Sequence, residues 1–167
     1  MESKNQFQFE KNLQKRTINV TRSFDASIDE VWNAWTNSKV LDKWWAPKPW
    51  RAQTKSMDFR AGGHWLYAMV GPENEMQWSK ADFISIEPKK GFDSADYFCD
   101  ENGTRNESMP SMNWSRRFRS SGEGTTIDIV ISFDKESDLQ KIINMGFKEG
   151  FAAGLSNLDE VLATSKV

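Results

Sequence analysis

The run Asp138-Leu-Gln-Lys-Ile-Ile-Asn-Met-Gly-Phe-Lys-Glu-Gly-Phe-Ala-Ala-Gly-Leu-Ser-Asn-Leu-Asp-Glu-Val-Leu-Ala163 decides how the rest of the chain is read. Its apolar residues Leu139, Ile142, Ile143, Phe147, Phe151, Leu155, Leu158, Val161 and Leu162 fall at steps of three and four, which place one stripe on one face of a long helix. Beside that stripe Gly146, Gly150 and Gly154 recur one turn apart. A glycine inside a helix costs about 0.5–1 kcal/mol relative to alanine, so three in register ask for a physical reason. Either the helix backbone packs closely on a sheet, or a bare helix face leaves a cavity for a ligand.

Upstream, the chain supplies the strands that such a helix would close over. Met1 to Asn12 is polar apart from Phe7 and Phe9 and reads as a poorly ordered arm or a short edge segment, with residues 13–167 forming one domain. Ile18 and Val20 alternate with Thr17, Asn19 and Thr21 in a first strand that reaches Phe24. Ser27 or Asp25 then caps a short helix carrying acidic Asp29 and Glu30 in its first turn and Ile28, Val31, Trp32 and Trp35 along its length. Asn37-Ser38 breaks it before a second short helix through Val40, Leu41 and Trp44. Pro47 and Pro49 make the segment from Trp44 to Trp50 a rigid aromatic loop.

Strand-length pieces follow, separated by turn signals as in a meander. Met57 and Phe59 lead to Gly62-Gly63, and His64 to Val70 alternates with Trp65, Tyr67 and Met69 on one face. Met76 to Ile86 forms a strand whose apolar phase shifts between Trp78 and Phe83, the expectation being a bulge there. Phe92 to Cys99 is another strand, and Thr104 to Ser111 a polar loop. Met112, Trp114, Arg116 and Phe118 share the next strand face, and Thr125 to Phe133 alternates most cleanly of all. Strands bracketed by helices indicate an α+β fold, with the long helix on one face of a curved antiparallel sheet.

The 167 residues suit one domain with a sizeable core. Hydrophobic residues at 38% exclude a disordered chain, yet no apolar run approaches the ~18 residues of a membrane span, and the N-terminus has no signal-peptide core. The single cysteine, Cys99, has no internal disulfide partner, which fits a cytoplasmic location. A net charge of −2 with dispersed Lys and Arg argues against nucleic acid as a partner. Eight Trp and eleven Phe against two Tyr supply large, mostly apolar rings, which fill a core or line a pocket.

Five segments carry a family resemblance: Thr21-Arg-Ser-Phe-Asp-Ala26, Val31-Trp-Asn-Ala-Trp-Thr36, Leu41-Asp-Lys-Trp-Trp-Ala-Pro47, Asp58-Phe-Arg-Ala-Gly-Gly63 and Gly146-Phe-Lys-Glu-Gly-Phe151. In order and spacing, from about Leu13 to Ala163, the chain resembles the heat-shock-chaperone ATPase activator-like family of START-related domains, in its compact single-domain form. The resemblance implies a helix-grip fold, in which the curved sheet wraps the C-terminal helix and encloses a hydrophobic cavity. It implies no one function, because the superfamily spans lipid and hormone carriers, polyketide cyclases and co-chaperone domains.

The candidate ligand-binding residues are Trp45, Trp65, Tyr67, Met69, Trp114, Arg116, Phe118, Phe147 and Phe151, rings and a methionine that converge on one interior if strand and helix faces meet. Arg116, in phase with core aromatics, must find a carboxylate or reach solvent. Asp96 or Asp82 is its expected partner at a cavity mouth, the alternative being bidentate capture of a ligand carboxylate. His64, the one histidine, is placed on the outward strand phase, so a catalytic triad or histidine metal site lacks parts. Cys99 sits beside Asp100 and Glu101, which disfavour a thiolate. No metal or cofactor motif is present, and Gly62-Gly63 lacks the lysine and helix of a phosphate loop. The leading expectation is a monomer or homodimer that binds a hydrophobic or amphipathic small molecule and is not an enzyme. The alternatives are a cyclase or hydrolase working through pocket carboxylates such as Asp82, Asp93 or Asp96, with Tyr67 and Arg116, and a chaperone-linked regulator.

Overall fold

The alternation of Thr125 to Phe133 becomes the strand that anchors the sheet. In the computed structural model, which describes residues 7–164, it is β8 (Gly124–Ser132), and its Ile127, Ile129 and Ile131 are fully buried. β-Branched side chains alternating on one face suit a half-buried pleated strand. The other strands are β1 (Phe7–Asn12), β2 (Thr17–Phe24), β3 (Arg51–Asp58), β4 (His64–Val70), β5 (Met76–Glu87), β6 (Gly91–Cys99) and β7 (Ser111–Ser121). They form one eight-stranded antiparallel sheet in the order β1-β2-β8-β7-β6-β5-β4-β3. Helices α1 (Ile28–Thr36) and α2 (Ser38–Trp44) follow β2, and α3 (Glu136–Asn144) and α4 (Phe147–Thr164) follow β8.

Ser27 is the cap of α1: its hydroxyl accepts from the Glu30 amide at 3.2 Å while the Glu30 carboxylate reaches back to the Ser27 amide, a capping box. Asn37 ends α1 and caps α2 through its side chain, so the sequence break falls where one residue serves both helices. Phe151, Leu155, Leu158 and Leu162 are the buried stripe of α4, each contributing about 1.5–3 kcal/mol of hydrophobic stabilisation. Arg22, buried on β2, pairs with Asp159 of α4 and lies 4.8 Å from the Phe24 ring, tying the helix to the sheet at one end.

Three sequence expectations change, and one alternative left open is decided. The helix read from Asp138 to Ala163 is two helices, because Gly146 adopts φ +88° between α3 and α4, the left-handed cap that glycine alone takes without strain. Steps of three and four continue across this break, so periodicity alone does not show it. The glycine row therefore loses Gly146, leaving Gly150 and Gly154 on α4. Within the stretch read as an arm or edge segment, Phe7–Asn12 is the edge strand β1, paired with β2 from Phe7↔Arg22 to Asn12↔Thr17; residues 1–6 lie outside the described residues. The bulge in β5 falls between Phe83 and Ser85 rather than before Phe83. Trp78 needs none: it lies on the outer face of the sheet, with the Lys55 ammonium 5.8 Å from its ring. Finally, the polar stretch Arg51–Ser56 belongs to strand β3, whose half-exposed edge position hides it from a hydrophobic pattern.

Gly146→Ala should destabilise the protein by about 1 kcal/mol, because alanine must adopt a left-handed conformation in open space that offers no compensating contact. Chemical denaturation measures this directly; an unchanged midpoint would mean that the α3–α4 break relaxes freely.

Candidate ligand cavity

The cavity is built where the C-terminal end of α2 meets the concave face of the sheet. Trp44 is fully buried, its indole N–H donating to the Ala34 carbonyl at 2.9 Å, which locks α2 against α1. The ring of the next residue, Trp45, packs edge-on against that of Trp44 at 5.3 Å, and its indole N–H donates to the Tyr67 hydroxyl of β4 at 3.0 Å. Its ring is the hub of the aromatic set, with centroids 5.9 Å from Trp114 of β7 and 6.1 Å from Phe151 of α4. Phe151 and Phe147 stack with each other at 5.4 Å, and Trp114 meets both edge-on.

Gly154 allows α4 this close. A Cβ there would stand 3.1 Å and 3.3 Å from the Trp45 and Trp44 carbonyl oxygens, and Asn157, one turn on, donates to the Ala46 carbonyl at 3.0 Å. Between this docking point and the α3–α4 break, sheet and helix part to leave a half-open cavity of about 220 Å³. The two expected explanations for the glycines fare differently: Gly154 allows a close approach, but to the backbone at the end of α2 rather than to the sheet, while Gly150 lines the pocket.

Six of the nine candidate residues line that cavity: Trp45, Tyr67, Met69, Trp114, Phe147 and Phe151. Three do not. Trp65 stacks flat behind Tyr67 at 4.0 Å, its indole N–H donating to the Thr54 hydroxyl. Phe118 lies deeper in the core, packed on Trp32, 5.1 Å away, and on Phe92. Arg116 is 3% exposed, set behind Trp114 with its guanidinium carbon 4.3 Å from the Phe92 ring and 5.1 Å from that of Trp114. It is thus no cavity-mouth residue, and Asp82 is no partner for it, because Asp82 faces the outer surface opposite His64 and binds Tyr97 and Lys80.

Asp96 and Ser79 join the wall, as do Met112 and Ile142. The signal for Asp96 was its phase: Phe92, Ser94 and Asp96 alternate along β6, so an acid shares a face with a core phenylalanine. Ser94, fully buried, donates to one Asp96 carboxylate oxygen at 2.5 Å and accepts from Arg116 at 3.1 Å. Burial pushes the Asp96 carboxyl up to about 6, the Arg116 charge and the Ser94 hydrogen bond only partly opposing it. Burial, with Asp96 adding to it, likewise raises the Tyr67 phenol well above its ordinary value. His64 lies outside this site, within 2.8 Å of the Ser56 hydroxyl on the outer side, and burial with Asp100 pushes the Cys99 thiol up, against nucleophilic use. Among the described residues no group of three or more His, Cys, Asp or Glu is placed to hold a metal, and no helix is long and apolar enough to cross a membrane.

A curved antiparallel sheet gripping a C-terminal helix across an aromatic cavity defines a helix-grip domain of the START type. Within that class the chain belongs to the family described as Activator of Hsp90 ATPase homolog 1-like protein, whose model matches residues 25–163. A protein from Arthrobacter aurescens solved by NMR is 26% identical with a TM-score of 0.88, the match covering 94% of this chain and 91% of that one. Protein Ms6760 from Mycobacterium smegmatis, a crystal structure, is 25% identical with a TM-score of 0.86 over 93% and 95%. A Staphylococcus epidermidis protein solved by NMR is 27% identical with a TM-score of 0.82 over 94% of each chain. No curated protein matches.

Proposed function

We propose that this protein binds an apolar or amphipathic small molecule in the cavity between the sheet and α4. The observation that carries the reading is the wall itself: aromatic rings and methionines around about 220 Å³, with Asp96 and Ser79 as convergent polar groups. Family membership supports a cavity-based role without selecting a ligand. Binding rather than catalysis also fits the hydrogen bonding of Tyr67, whose oxygen already accepts from Trp45 and whose proton is held tightly by burial. A cytoplasmic setting, suggested by the lone Cys99, belongs to the same reading.

Native mass spectrometry of the protein purified from its source cell, set against its denatured mass, tests this. An adduct lost on denaturation is expected. A bare mass, together with no change in melting temperature on adding apolar ligands, would overturn the reading and return weight to a surface-acting regulator.

A further inference from the structure

We infer that the ligand presents a protonated amine on an apolar body, held by the Asp96 carboxylate and by the rings around it; this rests on the ligand-binding reading above. The wall of the cavity carries one formally charged side chain, and it is Asp96. One of its oxygens receives the Ser94 hydroxyl, while the other takes no hydrogen bond from any described residue. Arg116 would be the natural internal counter-charge, yet it reaches this carboxylate only through the Ser94 hydroxyl, and it is packed between Phe92 and Trp114 rather than facing the cavity. The carboxylate is thus under-compensated, which is also why its affinity for a proton is raised.

Three ligand chemistries meet this wall differently. A carboxylate would face Asp96 with a like charge and find Arg116 shielded by the Trp114 ring. A neutral alcohol would donate one hydrogen bond and leave the negative charge as it was. An ammonium would satisfy the free oxygen by a charge-assisted hydrogen bond and lie among the rings of Trp45, Trp114, Phe147 and Phe151, a combination suited to organic cations. The sign of recognition is therefore opposite to the one that an arginine in phase with the core suggests.

The test is calorimetric titration at pH 7.5 with n-octylamine, octan-1-ol and sodium octanoate, which share an alkyl body and differ in the head group. The amine is expected to bind about tenfold tighter than the alcohol, with octanoate weakest. Asp96→Asn should abolish the preference, bringing the amine down to the level of the alcohol measured on the same variant. Octanoate binding as tightly as the amine, or an Asn variant that keeps the preference, would overturn the inference and leave the cavity reading intact. If none of the three binds, the cavity reading falls and the inference with it. Should Asp96→Asn fail to fold, the ranking on the unaltered protein decides the matter alone.

Discussion

Asp96→Asn is expected to stabilise the unliganded protein at pH 7.5 by on the order of 2 kcal/mol and to flatten its stability between pH 4 and 6. In the unfolded chain this carboxyl releases its proton near pH 4, whereas burial in the folded protein pushes it up to about 6. Between those values the folded state holds a proton that the unfolded state has lost, so stability falls as pH rises through the window, and the full cost is present above it. Asparagine keeps an acceptor for the Ser94 hydroxyl and carries no charge to desolvate. Arg116 from β7, Tyr67 from β4 and Asp82 from β5 are the titratable or charged neighbours that act on Asp96, and the α4 residues on this cavity wall are uncharged. Urea denaturation of both proteins from pH 4 to 8 isolates the residue. Asp93, by contrast, is buried enough to oppose ionisation, but Arg117 holds it below the usual carboxylate range; its contribution is lost on acidification below about pH 4 and is common to both proteins. Equal stability at pH 7.5 with parallel pH profiles would mean that Asp96 is well solvated and would remove the basis for its unusual proton affinity. A residue that costs stability in the empty protein is what a site kept for binding produces.

Gly154→Val should destabilise by on the order of 3 kcal/mol. Even a Cβ at this position stands 3.1 Å from the Trp45 carbonyl oxygen and 3.3 Å from that of Trp44, and these are backbone atoms at the end of α2, not flexible side-chain tips. The branched side chain adds two methyl groups in a well-packed place and forces α4 outward. The outward shift lengthens the Asn157 bond to the Ala46 carbonyl and disturbs the contact of Phe151 with Trp45, so one substitution loosens both the helix docking and the cavity wall. Gly150 is the internal comparison, since a Cβ there meets only the Pro47 ring carbon at 3.9 Å. Thermal or chemical denaturation measures the effect, and a loss under about 1 kcal/mol would show that α4 shifts without penalty, contrary to the close packing that gives this glycine its purpose.

Much of the fold was legible because it rests on short-range chemistry. Alternation in Thr125 to Phe133, the Ser27 and Asn37 caps, the prolines of the 44–50 loop and the apolar stripe of the last helix each show their element locally, and their order implies the α+β class. The less local features were missed. Arg51–Ser56 is an edge strand with little to bury, and the break at Gly146 interrupts the helix without interrupting its apolar spacing.

The candidate site divides along the same line. The sequence by itself determined the material of the cavity: which strand faces carry rings, that Tyr67 and Met69 share one, and that Phe147 and Phe151 lie a turn apart. Phase says which side of a strand a residue takes, but not where along the sheet the helix crosses it. Only the tertiary structure decided that Phe118 joins Trp32 and Phe92, that Trp65 stands behind Tyr67, and that Arg116 lies behind Trp114 while Asp96 faces the cavity. These outcomes depend on the register of β6 against β7 and on how closely α4 approaches the end of α2 at Gly154, both of which are settled by contacts between residues far apart in the chain.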